Sequence, residues 1–321
     1  MTNRRSFLLA AAGALTPIAK SAAKATSKER VDRALKGDKP LDRPPFSFWH
    51  HFGLQNEPPE NHARATLAFH REFRTDLVKV MSDFAYPKPD GKWYELTVLD
   101  NPFPAELRAL ELIRDGLSGE TYFVETIFNP WNVAEKLSSP GEVQRLKQEN
   151  PKALANALEA IAESEANHAT KAITTGAAGI FLAIANAQPE FLSEEEYAKW
   201  SEPYDRVILD AVKEAPLNIL HLHGDHVYLK HFTKPWPAHA INYSVHGTGV
   251  PFQDFRKSYQ GTLMGGLDEK NFRSLDEKEL KAEWQRAQEQ AGARFILAPG
   301  CSVPNESTDA ELRRLVTVVG A

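Results

Sequence analysis

PKALANALEAIAESEANHATKAITTGAAGIFLAIA, residues 151–185, carries the pattern that decides the fold. Apolar residues recur at helical spacing from 151 to 175, with Pro151 where a helix opens, and a short apolar run follows from 179 to 185. A helix here feeds a strand. Working outward, the same alternation recurs along the chain. Strand-like runs occupy residues 45–51, 77–82, 122–128, 179–185, 217–222, 240–245, 262–266 and 294–298. The clearest helical stretches are 61–74, 106–116, 151–175, 194–213, 276–291 and 309–318, several opened by Ser, Asp or Pro. Eight strands alternating with helices match a closed parallel barrel, which usually takes about 250 residues. The expectation is a single-domain α/β protein, a (β/α)8 TIM barrel spanning residues 26–321. An open doubly wound sheet is the structural alternative. No Gly-x-Gly-x-x-Gly follows the first run and there is no phosphate loop, so nothing points to a nucleotide site.

The amino terminus reads differently. Arg4 and Arg5 stand directly before an apolar stretch from Phe7 to about Leu15, and small residues follow around Ser21, Ala22 and Ala23. The stretch is well short of the roughly 20 residues a membrane span needs. It resembles the twin-arginine export motif, so residues 1–25 are expected to be a removable signal peptide and the mature protein to be periplasmic. Cleavage after Ala23 would take Arg4, Arg5 and Lys20 with it, moving the formal charge from −5 to −8. That acidic balance argues against nucleic acid as a partner. With 42% hydrophobic residues and no other long apolar run, the remainder can bury a full core without lipid. The single cysteine, Cys301, rules out an intrachain disulfide.

In a barrel of this kind the working residues sit at the carboxyl ends of strands. Those ends here offer His50 and His51, Asp83, Asn129, Asn186, His221 and His223, His246, Asp268, and Cys301. His221 and His223 are two apart on a strand, so both project to one face, either into the barrel mouth or onto the helix layer. A single strand histidine is more often a hydrogen-bonded core residue than a ligand, but two in phase can share one ion. Cys301, just beyond the last strand, could complete a two-nitrogen, one-sulfur set, which suits zinc with one position left open. His50 and His51 are adjacent, so at most one faces the mouth as a substrate-binding residue. His246, before Gly247 and Gly249, is a further substrate-binding candidate, and Asp83 is either a turn former or a catalytic acid–base group.

Four segments resemble the uroporphyrinogen decarboxylase superfamily, which holds the decarboxylase itself and the cobamide-linked methyltransferases. Arg33-Ala-Leu-Lys-Gly-Asp-Lys-Pro-Leu-Asp42-Arg43-Pro44-Pro45 is similar to the family's entry into its first strand, and Gly265-Gly266-Leu267-Asp268 to its Gly-Asn-Leu-Asp turn. Ile219-Leu-His221-Leu-His223-Gly224-Asp225 and Leu297-Ala-Pro-Gly300-Cys301-Ser-Val-Pro304 resemble the methyltransferase branch's Leu-His-x-Cys-Gly-Asn and Ala-Pro-Gly-Cys segments. The resemblance implies zinc held by His221, His223 and Cys301, with His223 replacing the branch's cysteine, and it places Asp83 at the family's catalytic aspartate.

The decarboxylase's Met-Arg-Gln-Ala-Gly-Arg segment, which pairs with substrate carboxylates, is absent: the chain has Trp49-His50-His51-Phe52-Gly53-Leu54 there. Neutral histidines replace a bidentate guanidinium poorly, which disfavours porphyrinogen decarboxylation. The expected function is therefore a zinc-dependent methyl or alkyl transferase that activates a thiol or similar nucleophile. The substrate is expected to be a small molecule, a tetrapyrrole or a methylated corrinoid, with a corrinoid as substrate or partner, and a metal-dependent hydrolase or lyase is the nearby variant. A protein of another class, one that holds a tetrapyrrole or corrinoid at the mouth without turning it over, is the alternative.

Overall fold

The computed structural model describes residues 25–40, 42–81 and 83–320. The expected export segment falls, but for Ala25, outside the described residues. Seven strands form one parallel sheet in sequence order: β1 (Leu77–Lys79), β2 (Tyr122–Phe128), β3 (Gly179–Ile184), β4 (Ile219–Leu222), β5 (Ala240–Tyr243), β6 (Thr262–Leu267) and β7 (Phe295–Pro299). Parallel neighbours need a crossover for every step, so helices must cover the outer face. They are α1 (Ser27–Lys36), α2 (Pro59–Phe73), α3 (Pro104–Leu117), α4 (Pro130–Leu137), α5 (Pro140–Glu149) and α6 (Pro151–Thr175), then α7 (Glu194–Trp200), α8 (Glu202–Ala211), α9 (Val245–Thr248), α10 (Phe252–Phe255), α11 (Glu277–Ala291) and α12 (Asp309–Val319).

Local chemistry sets many of these boundaries. Proline stands in the first turn of α2 to α6, where its missing N–H costs nothing. Reciprocal capping boxes start α1, α7, α11 and α12 at Thr26, Ser193, Asp276 and Thr308. The expected single helix over 194–213 is two, α7 and α8. Pro203 has no N–H to continue the ladder, and Ser201 bends the chain with φ −125°.

The sheet curls. Leu77 of β1, Phe181 of β3, Ile219 of β4 and Ile296 of β7 pack in one buried cluster, which a flat sheet could not bring together. Val31 and Ala34 of α1 join that cluster, and Thr262 Oγ1 donates to the Ala34 carbonyl at 3.3 Å, so α1 closes the amino-terminal end. A second, larger cluster fills the layer between sheet and helices. The molecule is TIM-barrel-like.

The eighth expected strand, residues 45–51, is not one, and the closed eight-stranded barrel is corrected to a seven-stranded curled sheet. Only Phe46 makes a parallel bridge, to Leu297. The reason lies in the donors. Pro44 and Pro45 carry no N–H, and the Phe46 N–H is diverted to the Asp76 carboxylate at 2.9 Å. Ser47 N–H donates to Leu297 O at 3.0 Å and Phe46 O accepts from Asp76 N–H at 2.7 Å, so the segment still touches β7 on one side and the start of β1 on the other. Past it, the Trp49 carbonyl accepts from Val303 N–H instead of extending a strand. Among the described residues no helix is long and apolar enough to cross a membrane.

Candidate metal centre

β4 delivers the two histidines. His221 shares its inward face with Ile219, lies beside Ala183 and Asn242 in the ladder, and stacks on Phe181 at 5.0 Å. Its Nδ1 lies 2.6 Å from Asn242 Oδ1. The Asn242 amide is itself fixed, donating to Met264 O at 3.1 Å and Pro299 O at 3.0 Å. Its oxygen is therefore the group turned to His221, whose Nδ1 must carry the proton and whose Nε2 keeps a free lone pair. His223 follows the strand end, its N–H held by Ile184 O at 2.9 Å, and its ring centre is 5.8 Å from that of His221. The two imidazoles face one space.

Cys301 arrives from β7 through Gly300. A β-carbon at Gly300 would stand 2.3 Å from Ser244 Cα, so only glycine lets the exit of β7 pass the exit of β5 this closely. Cys301 Sγ then lies 3.3 Å from His223 Nδ1, and one donor atom each from His221, His223 and Cys301 fall within 4.8 Å of one another. Burial pushes the Cys301 thiol up, but the two neighbouring imidazoles, His221 and His223, outweigh it and bring the thiol down to about 4. The bond to Cys301 raises His223 in turn, against the opposing effect of its own burial. The sulfur is thus a thiolate at neutral pH, the form that ligates metals. Two nitrogens, one thiolate and an oriented second partner for His221 match the donor set of a zinc site with one open position.

That open side faces two cavities. One of about 470 Å³ is lined by His223, Cys301, Lys270 and Asn305, and an inner one of about 230 Å³ by Trp49, Lys79, Phe181, His221 and Cys301. His51 borders both, and also a third of about 330 Å³ that contains Asp83. His51 Nδ1 is 3.8 Å from Asp83 Oδ1, and Asp83 Oδ2 is buried without a hydrogen-bond partner among the described residues.

Two of the expected substrate-binding residues, and the other polar strand-end residues, lie elsewhere. His50 turns the opposite way and stacks on Phe69 of α2 at 5.2 Å. His246 is taken up by Glu283, at 2.7 Å, and by Asp268, at 3.5 Å. Asn129 and Asn186 face the helix layer, where Asn129 Nδ2 donates to Asn186 Oδ1 at 2.7 Å and to Ser201 Oγ at 3.0 Å. Asp268 caps the backbone N–H groups of Lys270 and Asn271, each at 3.0 Å.

Two features were missed in the sequence. Lys79, inward on β1, places its ammonium 4.9 Å from the Phe181 ring centre and 5.5 Å from that of Trp49, with Met81 Sδ its hydrogen-bond partner at 3.1 Å. Burial lowers its pKa to about 8, against the pull of Cys301 and Glu125. The signal was present in Leu77-Val78-Lys79-Val80-Met81, where one charge interrupts an apolar strand. The second is a buried group of Glu106, Glu125, Glu165 and His168 between β2 and the helices. Glu125 at the centre of an apolar strand was its sign.

Fold and cluster together define a class: a TIM-barrel-like chain with histidine and cysteine donors gathered at the carboxyl ends of β4 and β7. The sequence description of uroporphyrinogen decarboxylase (URO-D) matches residues 92–321, and the chain belongs to this family. Among solved structures it is similar to a methyltransferase from Methanosarcina mazei, with 18% identity and a TM-score of 0.75 over 92% of this chain and 99% of that one. It is also similar to a B12-independent methionine synthase from Shewanella sp. W3-18-1, with 12% identity, a TM-score of 0.58 and coverage of 88% and 95%. A putative vitamin-B12 independent methionine synthase from Listeria monocytogenes follows at 12% identity, TM-score 0.54 and coverage of 88% and 98%. At these identities the likeness is one of fold. No curated protein matches the chain in sequence.

Proposed function

We propose that this chain is a zinc-dependent transferase that moves a methyl or small alkyl group onto a thiol or a similar nucleophile, with a methylated corrinoid as donor. The observation that carries the reading is the convergence of His221, His223 and Cys301 within 4.8 Å at the wall of two open cavities. Zinc at those donors would stabilise a thiol substrate as its anion at neutral pH. Asn242 holds the tautomer of His221 that leaves Nε2 for the metal. His51, beside Asp83, is placed to pass a proton from the arriving thiol towards the buried carboxylate. The sulfur lone pair forms the new bond to carbon, and the donor leaves with the old bonding pair.

The same reading has the segment around Phe46, which is not a strand, cover the seam between β7 and β1, supported by its bonds to both Leu297 and Asp76. It also takes residues 1–25 as a twin-arginine leader, for which loss of periplasmic protein on Arg4→Lys with Arg5→Lys is the test.

The function is tested with zinc-loaded protein, methylcobalamin and a small thiol, following the visible spectrum of the corrinoid. Demethylation above the buffer rate, abolished in Cys301→Ser, is expected. A protein that binds zinc and methylcobalamin but leaves the methyl group in place is instead a binding protein of this family.

A further inference from the structure

Glu125 lies on β2 between Val124 and Thr126, so its side chain points out of the curled sheet into the helix layer. There it meets Glu106 of α3 and Glu165 and His168 of α6, the last two three residues apart and so on one helix face. Relative exposures of the four are 0%, 1%, 3% and 1%. His168 Nε2 is 3.2 Å from Glu125 Oε1 and 3.9 Å from Glu106 Oε2, and one donor atom of each of the three falls within 4.8 Å of the others.

Glu165 supplies a separate observation. Its carboxyl makes no hydrogen bond or ion pair with any described residue, yet it lines the 330 Å³ cavity alongside Glu106 and His168. Glu125 Oε2 is likewise enclosed without a partner. Burial raises Glu125 to about 8 and Glu165 well above the usual carboxylate range, so both are held neutral until something positive takes the place of their protons. Two ammonium groups act on the cluster only through space, Lys79 on Glu125 and Lys136 on Glu165, and neither makes an ion pair with it among the described residues. Lys79 points to the other side of the sheet, and Lys136 stands over the Phe128 ring with its ammonium 2.9 Å from the ring centre.

We infer that Glu106, Glu125 and His168, with Glu165 as a fourth arm, form a second metal site for a divalent cation of the manganese or iron type. Three carboxylates favour a hard ion, and the imidazole shifts the preference from magnesium and calcium towards the first-row transition metals. The site shares no ligand with His221, His223 and Cys301 and stands independently of the transferase reading. It ties β2, α3 and α6 together beneath the cavity that holds Asp83.

Manganese(II) titrated into full-length protein already given one equivalent of zinc, and followed by electron paramagnetic resonance, tests it. One saturable equivalent is expected in the wild type and in Cys301→Ser, weakened at least tenfold in Glu165→Gln and in His168→Gln, with folding checked by circular dichroism. Spin-echo modulation of the wild-type ion should show one imidazole nitrogen, a readout that needs no variant to fold. Absence of a saturable equivalent, wild-type affinity in either cluster variant, or two coupled imidazoles would overturn the assignment.

Discussion

Asn242 decides which nitrogen His221 can offer, because its own amide is pinned by Met264 O and Pro299 O. Asn242→Ala should therefore lower zinc affinity about 10- to 100-fold in a chelator competition without unfolding the chain. Unchanged affinity would mean that the tautomer is not set there. Lys79 gives a prediction of the opposite kind. With its folded pKa lowered to about 8, it opposes folding below that pH, and the penalty fades as pH rises through the unfolded value. Lys79→Met should thus stabilise the metal-free protein by about 1–3 kcal/mol at pH 7, an advantage that shrinks towards pH 10.5 in urea titrations. No gain at pH 7 would show that the ammonium is already compensated. His221 and His223 were legible because a two-residue spacing fixes a shared face, and adjacency showed that at most one of His50 and His51 faces the mouth without showing which. Asn242 was not legible, since its bond to His221 crosses from β5 to β4 and depends on ladder register. Nor was the diversion of His246 to Glu283, a partner 37 residues away on α11.

Elements show where periodicity suffices and where it fails. The helix over 151–175 and the run that follows were read to within a residue, because length and spacing there agree. The run at 45–51 has the composition of a strand, but pairing depends on where N–H groups go, and Asp76 captures the one at Phe46. Asp76 also accepts from Ser27 Oγ and Arg30 Nη1, both at 3.0 Å, and pairs with Arg43, so one carboxylate joins α1, the approach to Phe46 and β1. Asp76→Ala removes the carboxylate partner of the buried Arg43 guanidinium and of the Phe46 N–H, while Arg30 keeps its pair with Asp42, and should cost about 3–5 kcal/mol of folding stability by denaturant titration. A loss under 1 kcal/mol would show that α1 docks through its apolar face alone. The break between α7 and α8 at Ser201 could have been read from Pro203, whereas the short α4 and α5 lay in a stretch with no strong period.

At the scale of the whole molecule, seven parallel strands in sequence order bring residues from opposite ends of the chain to one rim. Cys301 and His223 are 78 positions apart and touch only because β4 to β7 curl and Gly300 allows β7 to pass Ser244. The 18% identity with the Methanosarcina mazei methyltransferase, beside a TM-score of 0.75, shows how far sequence can drift while the sheet is kept. Activity then depends on what stands at the strand ends. The central claim is that His221, His223 and Cys301 hold one zinc ion. X-ray absorption at the zinc edge, on full-length protein loaded with one equivalent, measures it directly. One sulfur at about 2.3 Å and two imidazole nitrogens at about 2.0–2.1 Å are expected, the sulfur shell vanishing in Cys301→Ser. A shell of nitrogen and oxygen alone in the wild type would contradict the claim.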